Sequence, residues 1–132
     1  MDIYVMTEKY DLTPVELELM TILWEIGQGT VRDVMAHLPN SRNLAYTSVS
    51  TILRILQQKK ILIAEKSGQQ HIYVPVFSKE EFETHYVKKI VSQVFAGNSM
   101  QLVTYLVDKN NLTSSEIAAI QSLLNAKKKE LV

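Results

Sequence analysis

Leu44-Ala-Tyr-Thr-Ser-Val-Ser-Thr-Ile-Leu-Arg-Ile-Leu-Gln-Gln-Lys-Lys60 is the stretch that decides the fold. Within it Val49, Ile52, Leu53 and Leu56 recur at i, i+3, i+4 and i+7, the spacing of one helix face. At about 100° per residue the opposite face carries Thr47, Ser50, Thr51, Arg54 and Gln58. That face holds no acid. Short hydrogen-bonding side chains, some with methyl groups, suit base edges in a DNA major groove, and basic groups suit the phosphates. A polar surface turned only to water has the same composition, although such surfaces usually mix Glu with Lys. The residues after the helix separate the two readings.

Beyond Lys60 the apolar period shifts from 3.6 toward that of strands. Ile61 to Lys66 is one extended run, and His71 to Phe77, with Ile72, Tyr73, Val74 and Val76, is another. Ser67-Gly68-Gln69-Gln70 between them is a glycine-based turn. Upstream, Thr13-Pro14-Val15-Glu16 is a capping box with proline at the first helical position. It opens a helix with Leu17, Met20, Leu23 and Trp24 on one side, ended by Gly27 and Gly29. Thr30-Val31-Arg32-Asp33 begins a shorter helix with Val31, Val34, Met35 and Leu38, closed by Pro39. Three helices followed by a hairpin is the order of a winged helix-turn-helix, in which the third helix reads DNA. The wing tip is polar, flanked by Lys66 and His71. This suits a phosphate backbone, and it also suits a plain surface turn.

After Pro75, Ser78-Lys79-Glu80-Glu81 reads as a second capping box. A helix of about 78–96 follows, with Phe82, Tyr86, Ile90, Val91 and Val94 apolar. Asn98 can cap a helix holding Met100, Leu102, Val103, Leu106 and Val107. Thr113-Ser114-Ser115-Glu116 opens the last helix, with Ile117, Ile120, Leu123 and Leu124 on one face. Lys127-Lys128-Lys129 sits at its C-terminus, where the helix dipole favours cations. These 55 or so residues are too few to bury three amphipathic helices alone. The simplest partner is a second copy; the other arrangement folds the helices back on the winged helix. The expected fold is therefore mostly α with a small β-hairpin: a winged helix-turn-helix over 1–77 and a C-terminal helical dimerisation domain over 78–132. The expected dimer contacts are Tyr86, Ile90, Val94, Leu102, Val103, Leu106, Ile117, Ile120, Leu123 and Leu124.

Composition narrows the function classes. The 132 residues are 46% apolar, as in a folded globular protein, and include no cysteine. Disulfides, thiolate metal sites and cysteine nucleophiles are excluded. No apolar run reaches the 18 or so residues of a membrane span. Met1 to Leu12 carries Asp2, Glu8 and Asp11 and no basic n-region, so no signal peptide is expected and the expected location is cytoplasmic. Net charge is zero but segregated. Glu8 to Leu38 has six acids against Lys9 and Arg32. Ser41 to His71 has five cations (Arg42, Arg54, Lys59, Lys60, Lys66) against Glu65, five minus one giving +4. That is a compact basic patch, not a nucleic-acid coat. His37, His71 and His85 lack ligand spacing and no glycine-rich phosphate loop exists, so no metal, no cofactor and no enzyme activity are expected.

Leu44-Ala-Tyr-Thr-Ser-Val-Ser-Thr-Ile-Leu-Arg, the lysine pair after it and the hairpin ending Tyr73-Val74-Pro75-Val76 resemble the penicillinase-repressor (BlaI/MecI/CopY) family. Glu16-Leu17-Glu18-Leu19-Met20 with Leu23-Trp24, and Leu112-Thr113-x-x-Glu116-Ile117, extend the likeness over nearly the whole chain. The stretch Ala45-Tyr46-Thr47 with its helix is its most specific part. The resemblance implies a homodimeric repressor whose winged helix binds half of a palindromic double-stranded DNA operator and whose C-terminal helices dimerise. In the β-lactam branch it implies a membrane sensor with a cytoplasmic metalloprotease, and cleavage of the repressor at an Asn–Phe bond inside the dimer domain. The matching place here, about Thr104-Tyr105-Leu106, has no asparagine. In the copper branch a cysteine-rich motif holds the metal, and this chain has no cysteine.

The expected DNA contacts are Thr47, Ser48, Ser50, Thr51 and Arg54 in the major groove, with Thr47 and Ser48 nearest the bases. Arg54 reads as a guanine reader or a phosphate clamp, its depth in the helix favouring the phosphate. Tyr46 serves a phosphate or the core. Arg42, Lys59, Lys66 and His71 are the expected backbone contacts. Two rival functions are a winged helix that binds protein and a regulator that answers a small ligand at its dimer interface. The first calls for an apolar or acidic third helix, which Thr47 to Arg54 is not.

Overall fold

The computed structural model describes residues 11–132. The N-terminal acids Asp2 and Glu8 lie outside them. The described elements are α1 (Pro14–Ile26), α2 (Val31–Ala36), α3 (Tyr46–Gln58), β1 (Leu62–Ser67), β2 (Gln70–Pro75), α4 (Lys79–Gln93), α5 (Ser99–Lys109) and α6 (Ser114–Glu130). The chain packs as two compact units that meet in sequence at Lys89 and Ile90, inside α4.

Local signals set the helix starts of the first unit. The Thr13 hydroxyl accepts from the Glu16 amide at 3.1 Å, and the Glu16 carboxylate accepts from the Thr13 amide at 2.9 Å. Thr30 and Asp33 repeat the exchange for α2. That helix ends at Ala36, two residues short of the apolar Leu38, and His37 caps it. Ala45 opens α3 with no side-chain cap. Its closure is more specific. Lys60 is left-handed (φ +65°), its amide bonds the Gln57 carbonyl, and the Ile61 amide bonds the Leu56 carbonyl at 3.0 Å. This is a Schellman stop with lysine where glycine is usual, and the accompanying apolar contact is Ile61 against Leu56. Both side chains are fully buried.

The chain then enters the hairpin. β1 and β2 pair antiparallel from Leu62↔Pro75 to Ser67↔Gln70. Gly68 takes φ +64° at the first turn position, where a type II′ hairpin places glycine. A third piece of extended backbone joins them. The amide and carbonyl of Gly29 bond the carbonyl and amide of Tyr73 at 3.1 and 2.8 Å. A Cβ at Gly29 would lie 2.9 Å from Ile26 Cδ1 and 3.0 Å from Asp33 Cβ, so a larger residue here would push on the end of α1 and the start of α2. The glycine expected only to end a helix also docks the wing.

The core of this unit is Leu19, Met20, Leu23, Val34, Val49, Leu53, Leu56, Ile61 and Leu62, with Tyr73 and Phe77 from the hairpin side. Phe82, on the first turn of α4, closes it. Its ring lies 5.4 Å from Trp24, which also donates its indole N–H to the Phe77 carbonyl at 2.9 Å. The Ser78 cap is one-sided. Its hydroxyl accepts from the Glu81 amide, while the Glu81 carboxylate takes the Ser78 hydroxyl and not its backbone amide. α4 stops at Gln93, three residues earlier than the apolar pattern suggests, because Ala96 and Gly97 are both left-handed.

In the second unit, Asn98 caps α5 and the Thr113–Glu116 box caps α6. Phe95 faces Tyr105 at 6.4 Å. No residue of 90–132 is buried. Val94, Val103, Leu106, Ile117, Leu123 and Leu124 are all exposed, and Ile90, Leu102 and Ile120 are half-buried. Tyr86, on the stretch of α4 that packs with the first unit, is exposed as well.

Candidate nucleic-acid interface

The core-facing residues of α3 hold the helix so that its outer face meets solvent. Val49, Leu53 and Leu56 have no exposed surface. Thr47, Ser48, Thr51 and Arg54 are exposed and Ser50 is half-buried. The Thr51 hydroxyl donates to the Thr47 carbonyl at 2.8 Å. Its one donor is therefore used inside the helix, leaving its methyl group and an acceptor outward.

The wing stands beside this helix. Side chains alternate across a strand, so Lys66 and His71, a directly paired couple, share the sheet face of buried Tyr73 and not that of exposed Ile63. Burial pushes the Tyr73 phenol above its ordinary value, and the charge of nearby Arg54 opposes this. Arg54 of α3 and Tyr73 of the hairpin are therefore electrostatic neighbours. Between the two runs a cleft lined by Thr30, Arg32, Tyr46, Ser50, Gln70 and His71. Tyr46 is exposed, and the Arg32 guanidinium carbon sits 5.3 Å from its ring centroid. Sequence reading counted Arg32 only as a stray cation in an acidic segment. Nothing in its spacing signals that α2 delivers it to Tyr46, 14 positions on.

Two of the expected backbone contacts are differently engaged. Arg42 Nε donates to both carboxylate oxygens of Glu18, at 3.0 and 3.1 Å. Lys59 Nζ sits 2.8 and 3.0 Å from the oxygens of Glu16, a residue only 5% exposed. Lys59 thereby ties the end of α3 to the start of α1. No signal within either helix reports this pair, which joins positions 43 apart.

Burial raises the Glu16 carboxyl, but the bond from Lys59, the Thr13 amide and hydroxyl, and the Lys59 charge outweigh it, leaving the pKa below the usual value. A depressed carboxylate stabilises the fold above its unfolded pKa, and that stability is lost as pH falls through the folded one. Lys59→Met is expected to cost about 1–3 kcal/mol at pH 7, less than a fully buried pair because Lys59 is partly exposed. Urea melts followed by Trp24 fluorescence at pH 7 and again below the usual glutamate range test this. The gap between variant and parent should shrink in acid; an equal gap at both pH values would show that the ion pair is not its source.

Among the described residues, no three His, Asp or Glu side chains are grouped to hold a metal. No helix among them is long and apolar enough to cross a membrane. Residues 12–126 match the family model described as penicillinase repressor.

The chain belongs to the penicillinase repressor family.

Relatives include the methicillin resistance regulatory protein MecI of Mammaliicoccus sciuri, 21% identical over 118 residues, which are 89% of this chain and 96% of that protein. The transcriptional regulator BlaI of Mycobacterium tuberculosis is 31% identical over 91 residues, 68% of this chain and 66% of that one. Among solved structures, the DNA-binding domain of the repressor BlaI in solution aligns with 54% of this chain and 87% of its own, at 22% identity and a TM-score of 0.48. Family membership places this chain among DNA-binding transcriptional repressors and not among enzymes. The helix order and hairpin described above are those of a winged helix.

Proposed function

We propose that this penicillinase-repressor family member is a cytoplasmic homodimer that binds a palindromic operator and blocks a promoter by occupying it. The observation that carries the reading is the outer face of α3: exposed, free of acid, and fixed from behind by Val49, Leu53 and Leu56. In this proposal residues 1–77 read DNA and 78–132 dimerise. Thr47, Ser48, Ser50 and Thr51 face the bases, with the Thr51 methyl suited to a thymine methyl. Arg54 clamps a phosphate from α3, and Lys66 and His71 reach the backbone from the wing. Tyr46 borders the same groove. Arg42 and Lys59 would have to exchange Glu18 and Glu16 for phosphates, so they come last among the candidates.

Dimerisation through the second unit is supported by its lack of any buried residue. Apolar helix faces that find no core in their own unit call for a partner. Linkage makes the second head bind at high effective concentration. Whatever separates the C-terminal helices then releases DNA without touching α3. A membrane sensor-protease that cuts near Tyr105, or a ligand seated between the subunits, would act this way.

Selection from random duplexes, followed by binding at two salt concentrations, tests the reading. A symmetric site should be enriched. Thr47→Ala should relax preference at one base position per half-site, by about 1–3 kcal/mol, while Arg54→Ala weakens all sites and flattens the salt dependence by about one unit. Failure to enrich any site, with both variants binding as the parent does, would turn α3 into a protein-docking surface.

A further inference from the structure

We propose that Arg32, stacked on Tyr46 at the edge of the cleft beside the wing, is a phosphate clamp for the operator backbone. The proposal rests on the DNA-binding reading above and adds a contact from α2, outside the reading helix. Three observations carry it.

The guanidinium is held but not neutralised. Its carbon lies 5.3 Å from the Tyr46 centroid, a cation–π distance. Among the described residues no carboxylate pairs with it, whereas Arg42 and Lys59 each sit on a glutamate. Stacking restricts the long side chain while leaving N–H groups free for the two-pronged bond that suits phosphate oxygens.

The surroundings select for an anion. Arg32, Tyr46, Ser50, Gln70 and His71 offer donors, and none of the residues lining the cleft is acidic.

The location suits a duplex. Ser50, one of the residues turned to the bases, also lines the cleft. His71 lies at the wing. A backbone strand that leaves the groove between α3 and the wing must therefore pass this edge. Arg32 from α2, Arg54 from α3, and Lys66 and His71 from the two strands of the wing then border one stretch of phosphates. Tyr46 acts as the positioning residue for Arg32.

The test uses the full chain and a labelled operator duplex recovered by selection, with affinity measured over a range of potassium chloride. Arg32 is exposed, so Arg32→Gln keeps the fold, which Trp24 fluorescence verifies. Arg32→Gln is expected to flatten the slope of log affinity against log salt by about one unit, one phosphate contact. The loss should be equal on operator and unrelated DNA, with base preference unchanged. Tyr46→Leu should give part of that loss in the parent and none in Arg32→Gln. If Arg32→Gln keeps the parent's slope on a selected site, the clamp is wrong and the operator reading survives. If the parent itself enriches no site and binds DNA without a salt slope, both fall. Inorganic phosphate at matched ionic strength should displace DNA no better than chloride. A phosphate-specific displacement that Arg32→Gln abolishes would reassign the cleft to a free anion.

Discussion

Leu123→Glu combined with Leu124→Glu is expected to make the protein monomeric and to lower its affinity for a two-half-site operator by about 10²–10⁴-fold. Both side chains lie on α6, 70% and 64% exposed in the single chain. Together with Ile117 and Ile120 they form the apolar side of a helix that buries none of its own residues. Two carboxylates placed there would have to be buried against a second copy, at a cost of several kcal/mol each without partners. The reading heads are untouched, so affinity for an isolated half-site should stay within a factor of two or so of the parent's. The salt slope on the full operator should fall to roughly half, because half the phosphate contacts disappear. Light scattering gives the mass and fluorescence anisotropy the two affinities. A variant that remains dimeric would remove this face from the interface. A variant that loses half-site binding too would show that α6 supports the winged helix directly.

Leu53→Ala strikes the same function from the other side of α3. Leu53 is fully enclosed by the core that α1, α2 and the hairpin build beneath the reading helix. Removing its isobutyl group leaves a cavity that a small domain cannot fully close. Unfolding free energy should drop by about 2–5 kcal/mol. For a winged-helix unit of this size that is a large part of the total. Trp24, the single tryptophan, packs on Phe77 and Phe82 and so reports this unit alone. Its urea midpoint should fall sharply, and apparent operator affinity should fall with the folded fraction. Thr47→Ala, one turn and a half earlier on the exposed face, should move the midpoint by no more than about 0.5 kcal/mol. The pair thus separates what holds α3 from what α3 reads. Equal loss of stability in both would mean that the two faces are assigned wrongly.

Much of this fold is legible without coordinates because its signals are short-range. A capping box spans four residues; Thr13–Glu16 and Thr113–Glu116 form as their sequence suggests, and Thr30–Asp33, read only as a helix start, forms one as well. The period of Val49, Ile52, Leu53 and Leu56 marks the buried side of α3 because apolar area must leave water wherever the helix lies. Gly68 marks the hairpin because a tight turn needs a left-handed residue. Where the reading and the structure part, a distant group intervenes. Gly29 looks like a helix terminator, but its close pairing with Tyr73 is a matter of tertiary approach. Ser78 has the residues of a reciprocal cap and completes only half of it.

Although α1 buries Leu19 and Ile22 and leaves Leu17 exposed, the elements, their order, the inward side of α3 and the chemistry on its outer face were legible in the sequence. These follow from backbone sterics and from the period of apolar residues, which act over a few positions. Only the tertiary structure decided which cations are free. Lys59 and Arg42 find glutamates on α1, while Arg32 finds an aromatic ring and, among the described residues, no carboxylate. Coulomb and cation–π energies depend on distance in space, and residues 14 to 43 positions apart have no spacing rule to bring them into view.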